Sequence, residues 1–175
     1  MQPRLAAVSI DLDEVHEYAA IHGLAPLPAG DPAAHAVYDR AIERVVGWAQ
    51  GLAIPVTFFA VGRDLERAAS AEALRRAAAA GHAVESHSLS HRYDLSRLPI
   101  EAIRREVSEG LAAVERAVGV RPSGFRAPGY TVCDALFDAL DEAGVEFDSS
   151  VFPSPVYYAA KAAVLSWMRL YFASG

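Results

Sequence analysis

An α/β fold built on a parallel sheet is the class the sequence predicts, and three features of its 175 residues predict it. Short apolar runs alternate with longer segments whose apolar residues recur every three or four positions, the pattern of strands followed by amphipathic helices. The first two short runs are apolar almost throughout, as strands covered on both faces are. Glycines stand where most of the long segments should end. Such a sheet is either doubly wound or curled into a barrel.

The first strand is Leu5-Ala6-Ala7-Val8-Ser9-Ile10, ending on Asp11, and the stretch after it, with His16 and His22, reads as loop. Residues 36–50 carry Val37, Ala41, Val45 and Trp48 on one face of a helix, which Gly51 is expected to stop. The second strand, residues 54–61, is rich in β-branched and aromatic side chains. An Ala- and Arg-rich helix over 64–80 ends at Gly81 and leads into a third strand, 83–86. Ile100, Ile103, Val107, Leu111, Val114 and Val118 form one continuous helical stripe, with Pro99 at its start and Gly119 past its end. A short strand near Gly124-Phe125-Arg126, a helix over 134–142 stopped by Gly144, and a strand at 145–147 complete the alternation. Residues 152–155 read as a loop and 156–172 as one more helix.

Composition narrows the function classes. The chain carries 16 Lys+Arg against 22 Asp+Glu, a net charge of −6, and 53% hydrophobic residues, of which 35 are alanines. An acidic chain without basic blocks has no broad face for nucleic acid or an anionic membrane. No apolar run reaches the roughly 18 residues of a membrane span. The N-terminus runs directly into the first strand, so a cytoplasmic protein without an export leader is expected. The one cysteine, Cys133, is read as a small half-buried side chain. No linker or repeat divides the chain, so residues 1–175 are expected to form a single domain.

In parallel α/β folds the chemistry gathers at the C-terminal ends of the strands. The first strand ends in Asp11-Leu12-Asp13, and residues two apart on an extended chain point to the same side. Two carboxylates so close repel unless a cation lies beside them. The third strand leads into His87-Ser88-Leu89-Ser90-His91, and two imidazoles four apart can share a metal. The fourth leads into Phe125-Arg126-Ala127-Pro128-Gly129-Tyr130, a turn beside an arginine that can hold a carboxylate with two charge-assisted hydrogen bonds. Each alone has an ordinary explanation: a helix cap, a surface histidine pair, a tight turn. Together they fall on three strands of one sheet end. Two histidines and one carboxylate leave positions open for water, the plan of a catalytic metal site.

Ser9-Ile10-Asp11-Leu12-Asp13, His87-Ser88-Leu89-Ser90-His91 and Phe125-Arg126-Ala127-Pro128-Gly129-Tyr130 resemble, in order, the first three motifs of the polysaccharide deacetylase family, the NodB-homology domains of carbohydrate esterase family 4. Phe147-Asp148-Ser149-Ser150 resembles its segment after the fifth strand. The resemblance implies a distorted TIM-barrel-like deacetylase fold, of which these five parallel strands with their helices are a partial (β/α) barrel. It also implies that Asp13, His87 and His91 hold a divalent metal, commonly zinc, and that Asp11 is the general base. Arg126 would orient Asp11, and the Tyr130 backbone N–H would help form an oxyanion hole. The implied reaction is hydrolysis of N-acyl groups, most often N-acetyl groups on an amino-sugar polymer or related carbohydrate.

Two features depart from the family pattern. Leu12 separates acidic residues that are usually adjacent, as in a branch with members acting on small amides, so a deacylase of small non-polymeric amides is the alternative substrate reading. The family's acid is a histidine in a late Leu-x-x-His motif, whereas the last histidine here is His91. Loss of that acid costs about 10²–10⁴-fold in rate, and a catalytically silent metal- or carbohydrate-binding fragment is the alternative from another class. Glu14, His16 and His22 are read as solvated loop residues, His35 and His82 as remote, and Ser86, Ser88 and Ser90 as supporting or capping groups. The domain is expected to be incomplete at its C-terminal end, with apolar surface left for absent strands and a tendency to self-associate.

Overall fold

The computed structural model describes residues 6–172 apart from 22, 26 and 29. Strands β1 (Val8–Asp11), β2 (Val56–Ala60), β3 (Ala83–Ser86), β4 (Gly124–Phe125) and β5 (Phe147–Asp148) lie side by side in chain order, all parallel. They curl into half a barrel that alternates with helices. Register aligns their C-terminal ends: Asp11 stands beside Phe59, Ala60 beside Ser86, Ser86 beside Phe125 and Phe125 beside Asp148. The ladder continues one step further, the N–H groups of His87, Arg126 and Ser149 donating to the carbonyls of Ala60, Ser86 and Phe125. Register therefore delivers Asp11, His87 and Arg126 to one rim.

The helices are α1 (Val15–Ile21), α2 (Ile42–Leu52), α3 (Ala68–Ala79), α4 (Ile100–Val118), α5 (Asp134–Glu142) and α6 (Pro155–Phe172). The predicted bounds of α4 and α5 hold. Gly119 closes α4 in the left-handed conformation at φ 79°, a region that costs other residues about 1 kcal/mol or more. Three expectations are corrected. Residues 15–21 form a helix rather than a loop. A wide π-helical turn, Val37–Ala41, precedes α2, and that helix runs through Gly51 to Leu52. Ala53, at φ 54°, closes it by returning its N–H to the Ala49 and Gln50 carbonyls. Residues 62–66 make a tight 3₁₀ turn ahead of α3, because the Gly62 and Arg63 N–H groups donate to the Ser88 and Leu89 carbonyls rather than opening a longer helix.

Two apolar clusters hold the helices to the sheet. One joins Val56, Phe58, Ala60 and Val84 to Tyr38, Ile42 and Ala49 near α2, Leu74 of α3 and Val114 of α4. The other packs Ile103, Val107 and Leu111 of α4 and Leu136 and Leu140 of α5 around Phe125. Fully burying side chains of this size stabilises by about 1.5–3 kcal/mol each. Beyond β5, Val151, Val156, Val164 and Trp167 are exposed. Among the described residues no helix is long and apolar enough to cross a membrane.

Candidate metal centre

Asp13 follows β1 by two residues, and His87 and His91 lie in the segment leaving β3. Asp13 Oδ1 is 3.4 Å from His87 Nε2 and 3.2 Å from His91 Nε2. One ligand atom from each of the three residues lies within 4.8 Å of the other two. Both imidazoles are buried, and neither Asp13 Oδ1 nor His91 Nε2 has a hydrogen-bond partner.

The far side of each ring explains why these atoms face one another unbonded. His87 Nδ1 is 2.7 Å from the Arg126 carbonyl, and His91 Nδ1 is 3.1 Å from Glu17 Oε2. A carbonyl and a carboxylate can only accept, so both Nδ1 atoms carry the proton, and in the neutral rings both Nε2 atoms present lone pairs. Two lone pairs directed at a carboxylate repel unless a cation lies between. Burial alone would raise Asp13 and lower His91. The histidines beside Asp13 outweigh it and hold that carboxyl well below the ordinary range, while the carboxylates of Asp13 and Glu17 push His91 up to about 9. A proton or a divalent cation can occupy this space, and the three donors could hold a metal ion.

The ligand loop is braced on all sides. His91 and Ser88 sit in the left-handed region at φ 53° and 68°. Ser88 Oγ accepts the His91 N–H at 3.1 Å, and the Leu89 N–H donates to the Glu106 carbonyl. The Glu106 carboxylate takes the Ser90 N–H at 2.9 Å and the Ser90 hydroxyl at 2.6 Å. Ser88 and Ser90 are thus supporting groups as expected.

Asp11 lies on the same rim in a separate network. Arg126 Nη1 donates to its Oδ1 at 2.6 Å, and Nη2 donates to Ser9 Oγ at 2.9 Å and Ser149 Oγ at 2.7 Å. The guanidinium lies 4.1 Å from the centroid of the Phe59 ring. The Ala127 N–H donates to Ser150 Oγ, which donates to Asp148, so the Phe147-Asp148-Ser149-Ser150 segment pins the Arg126 turn. Tyr130 departs from expectation. Its backbone N–H donates to the Ala127 carbonyl at 3.0 Å and is spent within the turn, so in this conformation it is not free for an oxyanion. Its hydroxyl instead lies 3.4 Å from Asp11 Oδ2. Tyr93 and Tyr18 stand near both aspartates; burial, then chiefly the Asp13 charge, pushes the Tyr93 phenol up to about 12.

Other candidates fall elsewhere. Glu14 is fully buried rather than solvated, its carboxylate accepting the Val37 and Tyr38 N–H groups. That is a cap on the π-helical turn, invisible in sequence because the partners are more than 20 residues away. His82 accepts the Val56 N–H at the opposite end of the sheet, and His35 is exposed. His16 Nε2 lies 3.1 Å from Glu17 Oε1. His22 lies outside the described residues. Glu17 and Glu106 escaped the sequence reading; recognising residues 15–21 as a helix would have put Glu17 one turn beyond Asp13.

The sequence profile described as polysaccharide deacetylase matches residues 37–147, a span that includes His87, His91 and Arg126 and begins after Asp11 and Asp13. No curated protein matches the chain. Among solved structures, a Mycobacterium smegmatis protein assigned as a polysaccharide deacetylase aligns at 27% identity and TM-score 0.66, over 85% of this chain and 51% of its own. An acetyl xylan esterase of family 4 from Clostridium thermocellum, in complex with a cobalt ion, aligns at 21% identity and TM-score 0.58, over 77% and 54%. The Xyl-CE4 domain of a xylanase from the hindgut metagenome of Trinervitermes trinervoides gives 20% and 0.57, over 77% and 53%. The last two likenesses are of fold. The chain spans about half the length of the structures it matches.

Proposed function

The chain belongs to the polysaccharide deacetylase family, and from that membership we propose that it contributes the metal-binding and base half of a hydrolase removing N-acyl groups, N-acetyl foremost, from amino sugars. The observation that carries this reading is the approach of Asp13 Oδ1 to His87 Nε2 and His91 Nε2 with both Nδ1 atoms committed elsewhere. A divalent cation held by Asp13, His87 and His91, zinc by the chemistry of the donors, would acidify water and polarise the amide carbonyl.

Asp11 would take the proton of the attacking water. Arg126 would hold its Oδ1 and leave Oδ2, beside the Tyr130 hydroxyl, toward the reaction. A carboxylate fixed in this way needs no reorganisation when the proton moves. The proton that Asp11 takes up would then pass to the departing amine. The C–N bond then breaks, giving a free amine and a carboxylate product. Tyr130, Phe152 and Tyr157, with ring centroids 5.1–6.0 Å apart, would offer aromatic surface to the face of a sugar ring.

A silent metal- or carbohydrate-binding role is the second reading, favoured by the Tyr130 N–H being taken up by the Ala127 carbonyl. The experiment is metal analysis of purified protein together with amine release from N-acetylglucosamine oligomers and from simple N-acyl amides. One equivalent of metal with amine release supports the hydrolase. Metal without release supports the silent reading. No bound metal, and no change on His87→Ala, overturns both.

A further inference from the structure

We propose that Glu17 is a positioning residue of the metal centre, a carboxylate that orients His91 and sets its strength as a ligand; this rests on the metal reading above. Two histidines of the same centre are held from behind by partners of different charge. His87 Nδ1 meets the neutral Arg126 carbonyl, while His91 Nδ1 meets Glu17 Oε2 at 3.1 Å. A carboxylate on the far nitrogen fixes the tautomer, increases electron density on the metal-facing nitrogen and adds a negative charge near the cation; loss of such a partner weakens metal binding about 10–100-fold.

The surroundings are built for that task. Glu17 lies on α1, four residues after Asp13, so the helix following the carboxylate ligand carries the support of the histidine ligand. Its N–H donates to the Glu14 carbonyl, and buried Glu14 is itself fixed by the Val37 and Tyr38 N–H groups. The second oxygen of Glu17 is 3.1 Å from His16 Nε2, and its side chain is only 15% exposed. His91 gains the more from this support because its backbone is strained at φ 53° and its side chain is fully buried. Without Glu17 the ring would keep only its packing against His87 and Tyr93 to hold Nε2 toward Asp13.

The test is a Co²⁺ titration followed by visible absorption, on the full chain and on Glu17→Ala, Glu17→Gln and His87→Ala, with circular dichroism in chelator to measure the folded fraction. Glu17→Ala is expected to weaken Co²⁺ binding about 10–100-fold and to change the ligand-field band. Glu17→Gln, whose amide oxygen still accepts from Nδ1, is expected to restore the band and fall between the two in affinity. Wild-type affinity and band in both Glu17 variants would overturn the positioning role while leaving the metal centre intact. A loss in Glu17→Ala that tracks the folded fraction alone, with an unchanged band, would overturn it too. Absence of Co²⁺ binding by the wild type, matched by His87→Ala, would remove the metal reading and this inference with it.

Discussion

Gly110 of α4 lies directly beneath Ser88 of the ligand loop: a Cβ at Gly110 would stand 2.8 Å from the Ser88 carbonyl carbon and 2.9 Å from the Leu89 nitrogen. Both contacts are with backbone, which has no rotamer through which to yield. Gly110→Ala is expected to push the His87–His91 segment off the sheet rim, destabilising the fold by about 1–3 kcal/mol and weakening Co²⁺ binding at least tenfold. Thermal melts and metal titration on one preparation check both. An alanine variant with unaltered affinity would mean the loop is not braced from this side.

Removing a donor from the cluster should cost more than removing its support. Asp13→Asn, His87→Ala and His91→Ala are each expected to lower metal affinity by more than ~100-fold, beyond the effect of a group acting through a ligand. Emission spectrometry after dialysis gives the stoichiometry. Cys133→Ser and Cys133→Ala, at a residue outside the cluster, should keep it.

The Asp11–Arg126 pair is mostly buried, its side chains 19% and 10% exposed, and the guanidinium has four oxygen partners that an ammonium cannot reach together. Arg126→Lys keeps the charge but leaves buried oxygens unpaired, and is expected to destabilise by about 1–3 kcal/mol and to leave metal content unchanged. Chemical denaturation beside metal analysis separates the two effects. If Arg126→Lys also empties the metal site, the two networks are not independent.

Asp64 is held up to about 7, first by burial and then by Glu17 and Glu14, with His16 and His91 opposing. One of its carboxylate oxygens is buried without a hydrogen-bond partner. A carboxyl whose folded value exceeds its unfolded value contributes stability below about pH 4 that is lost as pH rises to about 7. Asp64→Asn has no charge to bury. In chelator it should match the wild type near pH 4 and exceed it at pH 8 by about 2–4 kcal/mol. Equal stability of the two proteins at pH 8 would contradict this.

Legibility in the sequence followed the range of the interactions responsible. α4 could be read to the residue because its apolar stripe and terminal Gly119 are local. The Asp11/Asp13 and His87/His91 pairs could be read because strand and turn geometry bring near neighbours together. α1 could not: its seven residues have polar groups that look solvated until Glu17 meets His91, 74 residues on. The burial of Glu14 is hidden for the same reason, since its partners lie 23 and 24 residues ahead. Ala53 ends α2 in place of Gly51 because the turn into β2, with the Ile54 N–H on the Ala49 carbonyl, decides where the helix closes. The Tyr130 N–H looked available in the motif and is taken up by a hydrogen bond of the turn itself.

The sheet order β1-β2-β3-β4-β5 has a consequence for assembly. Each strand joins an edge formed by the strand just before it, and none must be inserted between two already paired. During synthesis from the N-terminus, domains fold as the chain emerges, and local pairings form before distant ones. Asp13 and the His87–His91 segment follow the first and third strands, whereas the Asp11–Arg126 link spans 115 residues and waits for the fourth. The fourth strand also brings the Arg126 carbonyl to His87 Nδ1, so the backing of His87 and the anchoring of Asp11 are completed in one step.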